Sequence, residues 1–166
     1  LPKNSSIISD KSNPEHLILK KISEKRKLKL IDIDSFVHQI NSFSTPLIGS
    51  FQIKNLSMAA QASRICGIKN KDIIKSLNQI KNVEGRLDLV KRYPNNVKVF
   101  IDYAHTPDAL KEVILSIRKK YNDNISLVFG CGGDRDFKKR PLMAKIAKSY
   151  CKKIYVTDDN PRKENP

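Results

Sequence analysis

The stretch Phe129 to Pro141, FGCGGDRDFKKRP, constrains this chain more than any other. An apolar run, Ile125 to Phe129, leads into it, and a helical pattern from Pro141 to Tyr150 leaves it. Gly130, Gly132 and Gly133 surround Cys131. Glycine lets the backbone approach a ligand or another segment closely and adopt positive φ without a Cβ penalty. A glycine-rich turn between a strand and a helix also points N–H groups at whatever binds there. Asp134, Arg135 and Asp136 follow at once, which suits a ligand carrying both signs of charge. A tight strand-to-helix turn with no ligand accounts for the same glycines equally well.

The pattern around this turn is regular. Val97 to Tyr103 (VKVFIDY) reads as a strand of the buried type. Thr106-Pro107-Asp108 reads as a helix start, with Thr as N-cap, Pro at the first helical position and an acid in the first turn. Leu110, Val113, Ile114 and Ile117 follow at helical spacing, and a turn is expected over 121–124. Ile125 to Phe129 is a second strand. Pro141 opens another helix carrying Leu142, Met143, Ile146 and Ala147, and Lys153 to Thr157 is a third strand. Strand-helix-strand-helix-strand with short joints predicts right-handed crossovers and a parallel sheet. Three turns, Asp102 to Thr106, Gly130 to Arg140 and Asp158 to Arg162, then follow the carboxyl ends of strands, where open α/β sheets bind ligands.

Upstream of Gly85 the character differs, so residues 1–84 and 85–166 read as two folding units. In the first, Ser5 to Ser9 and Lys27 to Asp34 are candidate strands. Asn13-Pro14-Glu15 is a turn or a helix start with Pro at the first helical position, a short helix follows from His16 to Lys20, and Ser42 to Pro46 is a loop. A helix from Asn55, with Leu56, Ala59, Ala60 and Ser63 on one face, closes at Gly67 as a C′ residue. Lys71 to Ile80 is a second amphipathic helix with an apolar stripe of Ile73, Ile74, Leu77 and Ile80.

Composition limits the partners. Net charge is +15, from 32 Lys+Arg against 17 Asp+Glu. Such a chain attracts nucleic acid, anionic lipid or phosphorylated ligands. The cations are spread out, however, and aromatic residues make up 7% with no Trp, so stacking platforms for bases are scarce. A basic nucleic-acid-binding module is the distant alternative, and the dense run Lys20 to Lys29 is most simply a solvated face. No apolar run approaches the ~20 residues of a membrane span, so no membrane insertion is expected. Three cysteines, no C-x-x-C pair and three histidines give no expected metal site, and reduced thiols in a cytoplasmic protein are expected. His16 and His38 lack partners of metal-ligand type. The chain begins without Met and stops in DDNPRKENP, which reads as a piece of a longer chain.

The residues at the three turns suggest chemistry. A carboxylate such as Asp102 at a strand end can accept hydrogen bonds from ribose hydroxyls, and His105 can meet a phosphate or carboxylate; equally, Asp102 can cap the local backbone. Arg135 and Arg162 are guanidinium forks suited to bidentate carboxylate binding. Asp134, Asp136, Asp158 and Asp159 could hold an ammonium group or orient the arginines. Together they fit an amino-acid zwitterion, with surface salt bridges as the plainer reading. Lys138, Lys139 and Arg140 are expected to be solvated charge, and Cys131 to be a packing residue rather than a nucleophile.

GRLDLV (85–90), FIDYAHTPDAL (100–110), VFGCGGDRDFKKRPLM (128–143) and VTDDNPRKENP (156–166), in this order, resemble the motif series of the Mur ligases. PLIGSFQIKN (46–55) is similar to that family's approach to the central-domain helix. The resemblance runs from about residue 46 to the end. It implies an α/β chain: the back part of a central ATPase domain over 1–84, then a Rossmann-like parallel βαβαβ unit opening the C-terminal domain over 85–166. It implies ATP-dependent amide formation in peptidoglycan precursor synthesis, through an acyl phosphate, with ATP and Mg2+ as cofactors, in a cytoplasmic monomer.

Carried onto this sequence, Asn55 matches an adenine-side residue, and Arg86, Asp102 and His105 match positions beside the nucleotide, with Asp102 at the ribose. His105 is also a candidate catalytic group. Arg135, Asp159, Asn160, Pro161 and Arg162 match the amino-acid pocket. The DNPR form resembles members that add meso-diaminopimelate to UDP-N-acetylmuramoyl-dipeptide; lysine-adding members differ at the final Arg. That Arg makes physical sense, because diaminopimelate carries a distal carboxylate that lysine lacks. Two departures stand out. Gln52 occupies a position where the family often has Asn, and no G-x-x-G-K-[ST] phosphate loop is present. The family's carbamylated lysine, which helps to place magnesium, would lie upstream of residue 1, and further amino-acid-pocket residues beyond Pro166. The 166 residues alone are therefore expected neither to hydrolyse ATP nor to form product.

Overall fold

Two short strands open the first unit. Ser6–Ser9 (β1) and Lys29–Asp32 (β2) pair in parallel, with Ser6 opposite Lys29 and Ser9 opposite Asp32. A helix, His16–Arg26 (α1), makes the crossover that a parallel pair requires. The computed structural model describes residues 2, 5–121 and 124–165, with the side chain of residue 35 also outside the description. It separates into two units, residues 1–82 and 83–166.

Of the two readings of Asn13-Pro14-Glu15 the turn is the one formed, and Pro14 does not open α1. Asp10 and Asn13 build a turn before it: the Ser12 N–H donates to Asp10 Oδ1 at 2.8 Å and the Glu15 N–H to Asn13 Oδ1 at 2.9 Å. The helix starts at His16, two residues beyond Pro14, and runs past Lys20 through the basic stretch to Arg26, where Lys27 takes a left-handed conformation. A helix over Asp34–Asn41 (α2) went unforeseen, though Phe36, Val37 and Ile40 stand at helical spacing; Phe36 and Ile40 are buried. The next helix, Ser50–Ile65 (α3), begins five residues before Asn55, straight after Gly49 at φ 97°. It ends as expected at Gly67: the Gly67 N–H reaches Arg64 O at 3.0 Å and the Ile68 N–H reaches Ser63 O at 3.1 Å, a Schellman closure. Asn70–Leu77 (α4) then buries Ile73 and Leu77, while Ile74 stays exposed. Phe36, Ile40, Ala60, Ile73 and Leu77 form the core of this unit, with Phe43, Ile53 and Leu56 against it. Gln52 is buried at the first turns of α3, where its Nε2 donates to Ile48 O at 3.1 Å.

Charge organises the carboxyl ends of β1 and β2. Lys54, on α3, pairs with the nearly buried Asp10 carboxylate and donates to Ser12 Oγ at 2.6 Å. Lys11 pairs with Asp32 at 3.0 Å. Burial works to raise the Asp10 carboxyl, but the Lys54 ammonium with the Ser12 N–H and hydroxyl outweighs it and holds the group below its ordinary value. A lowered carboxyl contributes stability above its unfolded pKa and loses it as pH falls through the folded value. Lys54→Met should therefore destabilise this unit by about 1 kcal/mol at neutral pH, a buried-pair effect reduced because Lys54 still meets solvent. Urea unfolding should show the gap to wild type narrowing below about pH 4.

The second unit opens with an antiparallel pair, Asp88–Arg92 (β3) and Lys98–Ile101 (β4), whose register shifts between Leu89 and Lys91. Pro107–Tyr121 (α5) follows, capped as the sequence requires: Thr106 Oγ1 accepts the Ala109 N–H at 3.3 Å. Ser126–Phe129 (β5), Lys139–Tyr150 (α6) and Lys153–Val156 (β6) complete the unit, with β5 and β6 parallel. The turn expected over 121–124 falls partly on residues outside the description.

The α/β class and the element order hold; the strand pairing differs from the expected continuous parallel sheet. Among the described residues of the second unit, β4 is hydrogen-bonded to β3, and β5–β6 form the one parallel ladder. VKVFIDY is also not buried on both faces. Val99 and Ile101 point outward, as do Val128 and Val156. Leu127 and Phe129 face inward, onto a core of Leu110, Ile114 and Met143 supplied by α5 and α6. A parallel strand reads as continuously apolar when both faces are covered; here the described residues cover one. Pro141 sits in the first turn of α6 rather than opening it, at a place where a missing N–H costs no helical hydrogen bond. No helix among the described residues is long and apolar enough to cross a membrane.

Candidate functional site

The glycine turn after β5 is held against the turn after β6 by backbone. The Gly133 N–H donates to Asn160 O at 2.8 Å, and the Thr157 N–H donates to Phe129 O at 3.1 Å. Gly130 lies against Thr157 O and the Asp159 N–H, and Gly133 against the Pro161 carbonyl. No Cβ fits at either place. Side chains tighten the same junction. Arg162 Nη1 donates to Gly133 O at 2.8 Å, and Glu164 Oε1 accepts the Asp134 N–H at 2.7 Å. Asp134 and Arg162 both adopt left-handed backbone, at φ 50° and 53°. For an Arg this costs energy, and such strain gathers at functional turns.

A third element fastens both turns to the start of α6. Arg140 Nη2 donates to both Glu164 carboxylate oxygens, at 2.8 and 2.6 Å. Lys139 Nζ donates to His105 O at 2.7 Å, reaching the turn after β4. Arg140 and Lys139 are thus structural partners, not the solvated charge expected of them. The Arg140 guanidinium, followed by the Asp134 N–H, holds the Glu164 carboxyl below its ordinary value. The plainer reading of loop-to-loop ion pairs is realised here, but between Arg140 and Glu164, which sequence reasoning did not select. Beside the pair lies a cavity of about 380 Å³, lined among others by Cys131, Pro141, Ala144, Asp158, Asp159 and Pro161.

The two arginines of the expected amino-acid pocket come to this junction. Arg135 is exposed on the glycine turn, and Arg162 is exposed on the opposing turn with one nitrogen committed to Gly133 O. Asn160 Oδ1 accepts the Arg162 N–H at 3.2 Å, and Asp159 Oδ1 accepts the Asn160 N–H at 2.8 Å. Pro161 is half-buried against Gly133. Asp136 caps the backbone of Lys138 at 3.0 Å. Cys131 packs its sulfur 3.7 Å from Met143 Sδ, in keeping with a packing role.

The nucleotide-side residues divide between the units. Asn55 is exposed on α3 in the first. In the second, Asp102 spends both oxygens on backbone: Oδ2 accepts the Leu87 N–H at 2.8 Å and Oδ1 the Ala104 N–H at 2.7 Å. It thereby ties GRLDLV to DYAHTP and supports buried Leu87 at φ 47°. Each oxygen keeps a second lone pair for a hydroxyl donor. His105 Nδ1 lies 3.2 Å from Tyr103 O, and its ring meets that of Tyr103 edge-on at 5.4 Å. Arg86 stacks over the same Tyr103 ring at 5.1 Å. Tyr103, 66% exposed, was not singled out by sequence reasoning and sits between two residues that were. Its signal was its place inside DYAHTP. Among the described residues no group of three His, Cys, Asp or Glu is arranged to hold a metal.

Residues 85–166 match the family described as Mur ligase, glutamate ligase domain. The chain belongs to the Mur ligase family. It is 42% identical over 134 residues to the UDP-N-acetylmuramoyl-L-alanyl-D-glutamate–2,6-diaminopimelate ligase of Rickettsia montanensis, covering 80% of this chain and 27% of that protein. It is 37% identical over 155 residues to the ligase of the same name from Agrobacterium fabrum, covering 92% of this chain and 31% of that protein. The chain thus spans less than a third of the length of these two Mur ligases. Its fold matches a solved structure of a UDP-N-acetylmuramoyl-L-alanyl-D-glutamate–2,6-diaminopimelate ligase with a TM-score of 0.51 and 24% identity, over 98% of this chain and 38% of that one.

Proposed function

We propose that this chain is part of an ATP-dependent amide ligase that adds meso-2,6-diaminopimelate to UDP-N-acetylmuramoyl-L-alanyl-D-glutamate in peptidoglycan precursor synthesis. The observation that carries this reading is the interlocked GGDRD–DNPR junction, with two exposed arginines, in a chain 42% identical to a ligase of that name. In this reading residues 1–84 are the back of the central ATPase domain and residues 85–166 the front of the C-terminal domain. The protein acts in the cytoplasm as a monomer.

The acceptor's terminal carboxylate attacks the γ-phosphate of ATP, giving an acyl phosphate and ADP. The amine of the incoming amino acid attacks the acyl carbon, and the tetrahedral intermediate expels phosphate. Mg2+ supplies charge neutralisation during phosphoryl transfer when bound; the described residues present no group of His, Cys, Asp or Glu built to hold it. Asn55, Arg86, Asp102 and His105 serve the nucleotide. Asp102 can accept a ribose hydroxyl on its remaining lone pairs, while Arg86 and His105 flank the exposed Tyr103 ring. Arg135 and Arg162 bind carboxylates of the amino acid; Asp159, Asn160 and Pro161 shape the turn that aims Arg162.

Phosphate release by the full-length protein, supplied with ATP and the UDP-linked dipeptide, should depend on added meso-diaminopimelate. Preference for L-lysine would overturn the assignment of the amino acid. The isolated 166 residues should show no turnover, and detectable product from them would contradict the division of labour between segments.

A further inference from the structure

The Arg140–Glu164 pair joins three segments that no other single contact joins among the described residues: the start of α6, the glycine turn and the turn after β6. Glu164 Oε1 accepts from Arg140 Nη2 at 2.8 Å and from the Asp134 N–H at 2.7 Å. Asp134 directly precedes Arg135, and Glu164 lies two residues beyond Arg162. Moving the Glu164 carboxylate therefore disturbs the backbone carrying both exposed arginines. Arg140 Nε is closed off from solvent and has no hydrogen-bond partner among the described residues. A side-on fork to the carboxylate would satisfy it. Instead one nitrogen takes both oxygens, and Oε1 remains aimed at the Asp134 N–H.

We propose that Arg140 and Glu164 are a positioning pair that sets the separation and orientation of Arg135 and Arg162, and so the recognition of a dicarboxylate amino acid. The proposal rests on the reading of this junction as the amino-acid pocket. A guanidinium pair reading two carboxylates needs its two forks held at fixed spacing, because misplacement of a binding group by about 1 Å costs rate and affinity steeply. Neither Arg140 nor Glu164 need touch the substrate. Lys139, bonded to His105 O on the other side of the helix start, is not part of this clamp.

Two readouts on the full-length protein separate the clamp from its use. Hydrogen exchange at the Asp134 amide should accelerate at least ~10-fold in Glu164→Gln, which keeps the shape but removes the charge. In kinetics, Glu164→Gln and Arg140→Lys should raise KM for meso-diaminopimelate ~10-fold, with KM for ATP within about twofold and the melting temperature nearly unchanged. Unchanged exchange at Asp134 would overturn the clamp itself. Accelerated exchange with unchanged KM, or equal rises in KM for both substrates, would overturn the positioning role. A wild-type protein that turns over no amino acid would overturn the proposed function and the positioning role with it, while the exchange result would still judge the clamp.

Discussion

Gly133→Ala should destabilise the second unit by about 3 kcal/mol or more and abolish amino-acid-dependent turnover, whereas Gly132→Ala should change stability by about 0.5 kcal/mol or less. The two glycines are neighbours in one motif, yet they face different surroundings. A Cβ on Gly133 would overlap the Pro161 carbonyl oxygen and stand 2.6 Å from its carbon. Those are backbone atoms of the DNPR turn, held by the Gly133 N–H bond to Asn160 O, so they cannot yield without breaking the junction. A Cβ on Gly132 would meet Asp159 Oδ2 at 3.5 Å and Asn160 O at 3.7 Å, which is ordinary contact. Gly130→Ala should resemble Gly133→Ala, since its Cβ would overlap Thr157 O and stand 2.9 Å from Asp159 N. Thermal unfolding of the three alanine variants, side by side, measures the difference. Equal tolerance at all three positions would mean that the close approach of the two turns is not maintained in solution.

Arg162→Ala in the full-length protein should raise KM for meso-diaminopimelate by about 10- to 100-fold while leaving KM for ATP within about threefold, the loss expected when a charge-assisted carboxylate contact disappears. Arg162 also donates to Gly133 O and sits at φ 53°, so part of any effect is structural. Arg162→Lys separates the two contributions. It keeps the charge but not the planar fork, and should recover little of the affinity if bidentate recognition of the distal carboxylate is what matters. A wild type that prefers lysine, or an Arg162→Ala variant whose KM rises equally for ATP, would remove Arg162 from amino-acid selection.

Much of the local structure was legible because local rules decide it. Thr106-Pro107 caps α5 as its sequence requires, and Gly67 closes α3 through a left-handed residue. Leu110, Ile114 and Met143 meet in one core because their helical spacing leaves no other face to bury. Helix starts were less legible. α3 begins at Ser50 and α1 after Pro14, where turn hydrogen bonds from Asp10 and Asn13 compete with the helix. α2 was missed although its Phe36, Val37 and Ile40 repeat the spacing of Ile73, Ile74 and Leu77 in α4; its first residue, Asp34, had been read as the end of an alternating strand.

At the candidate site, sequence by itself determined that the turns DYAHT, GGDRD and DNPR follow strands, and their order places the chain among the Mur ligases. It also placed two guanidinium forks, Arg135 and Arg162, on two of those turns. Tertiary structure alone decided that Asp102 binds the backbone of Leu87, fifteen residues away, and that Arg140, read from sequence as solvated charge, grips Glu164. It alone decided which glycines of the turn are irreplaceable. The reason is the range of the interactions. A cap, a turn or a helical stripe is settled within a few residues, but the space beside Gly133 and the partner of Arg140 are set by a segment some twenty-five residues further along the chain, brought back by the crossover through α6 and β6.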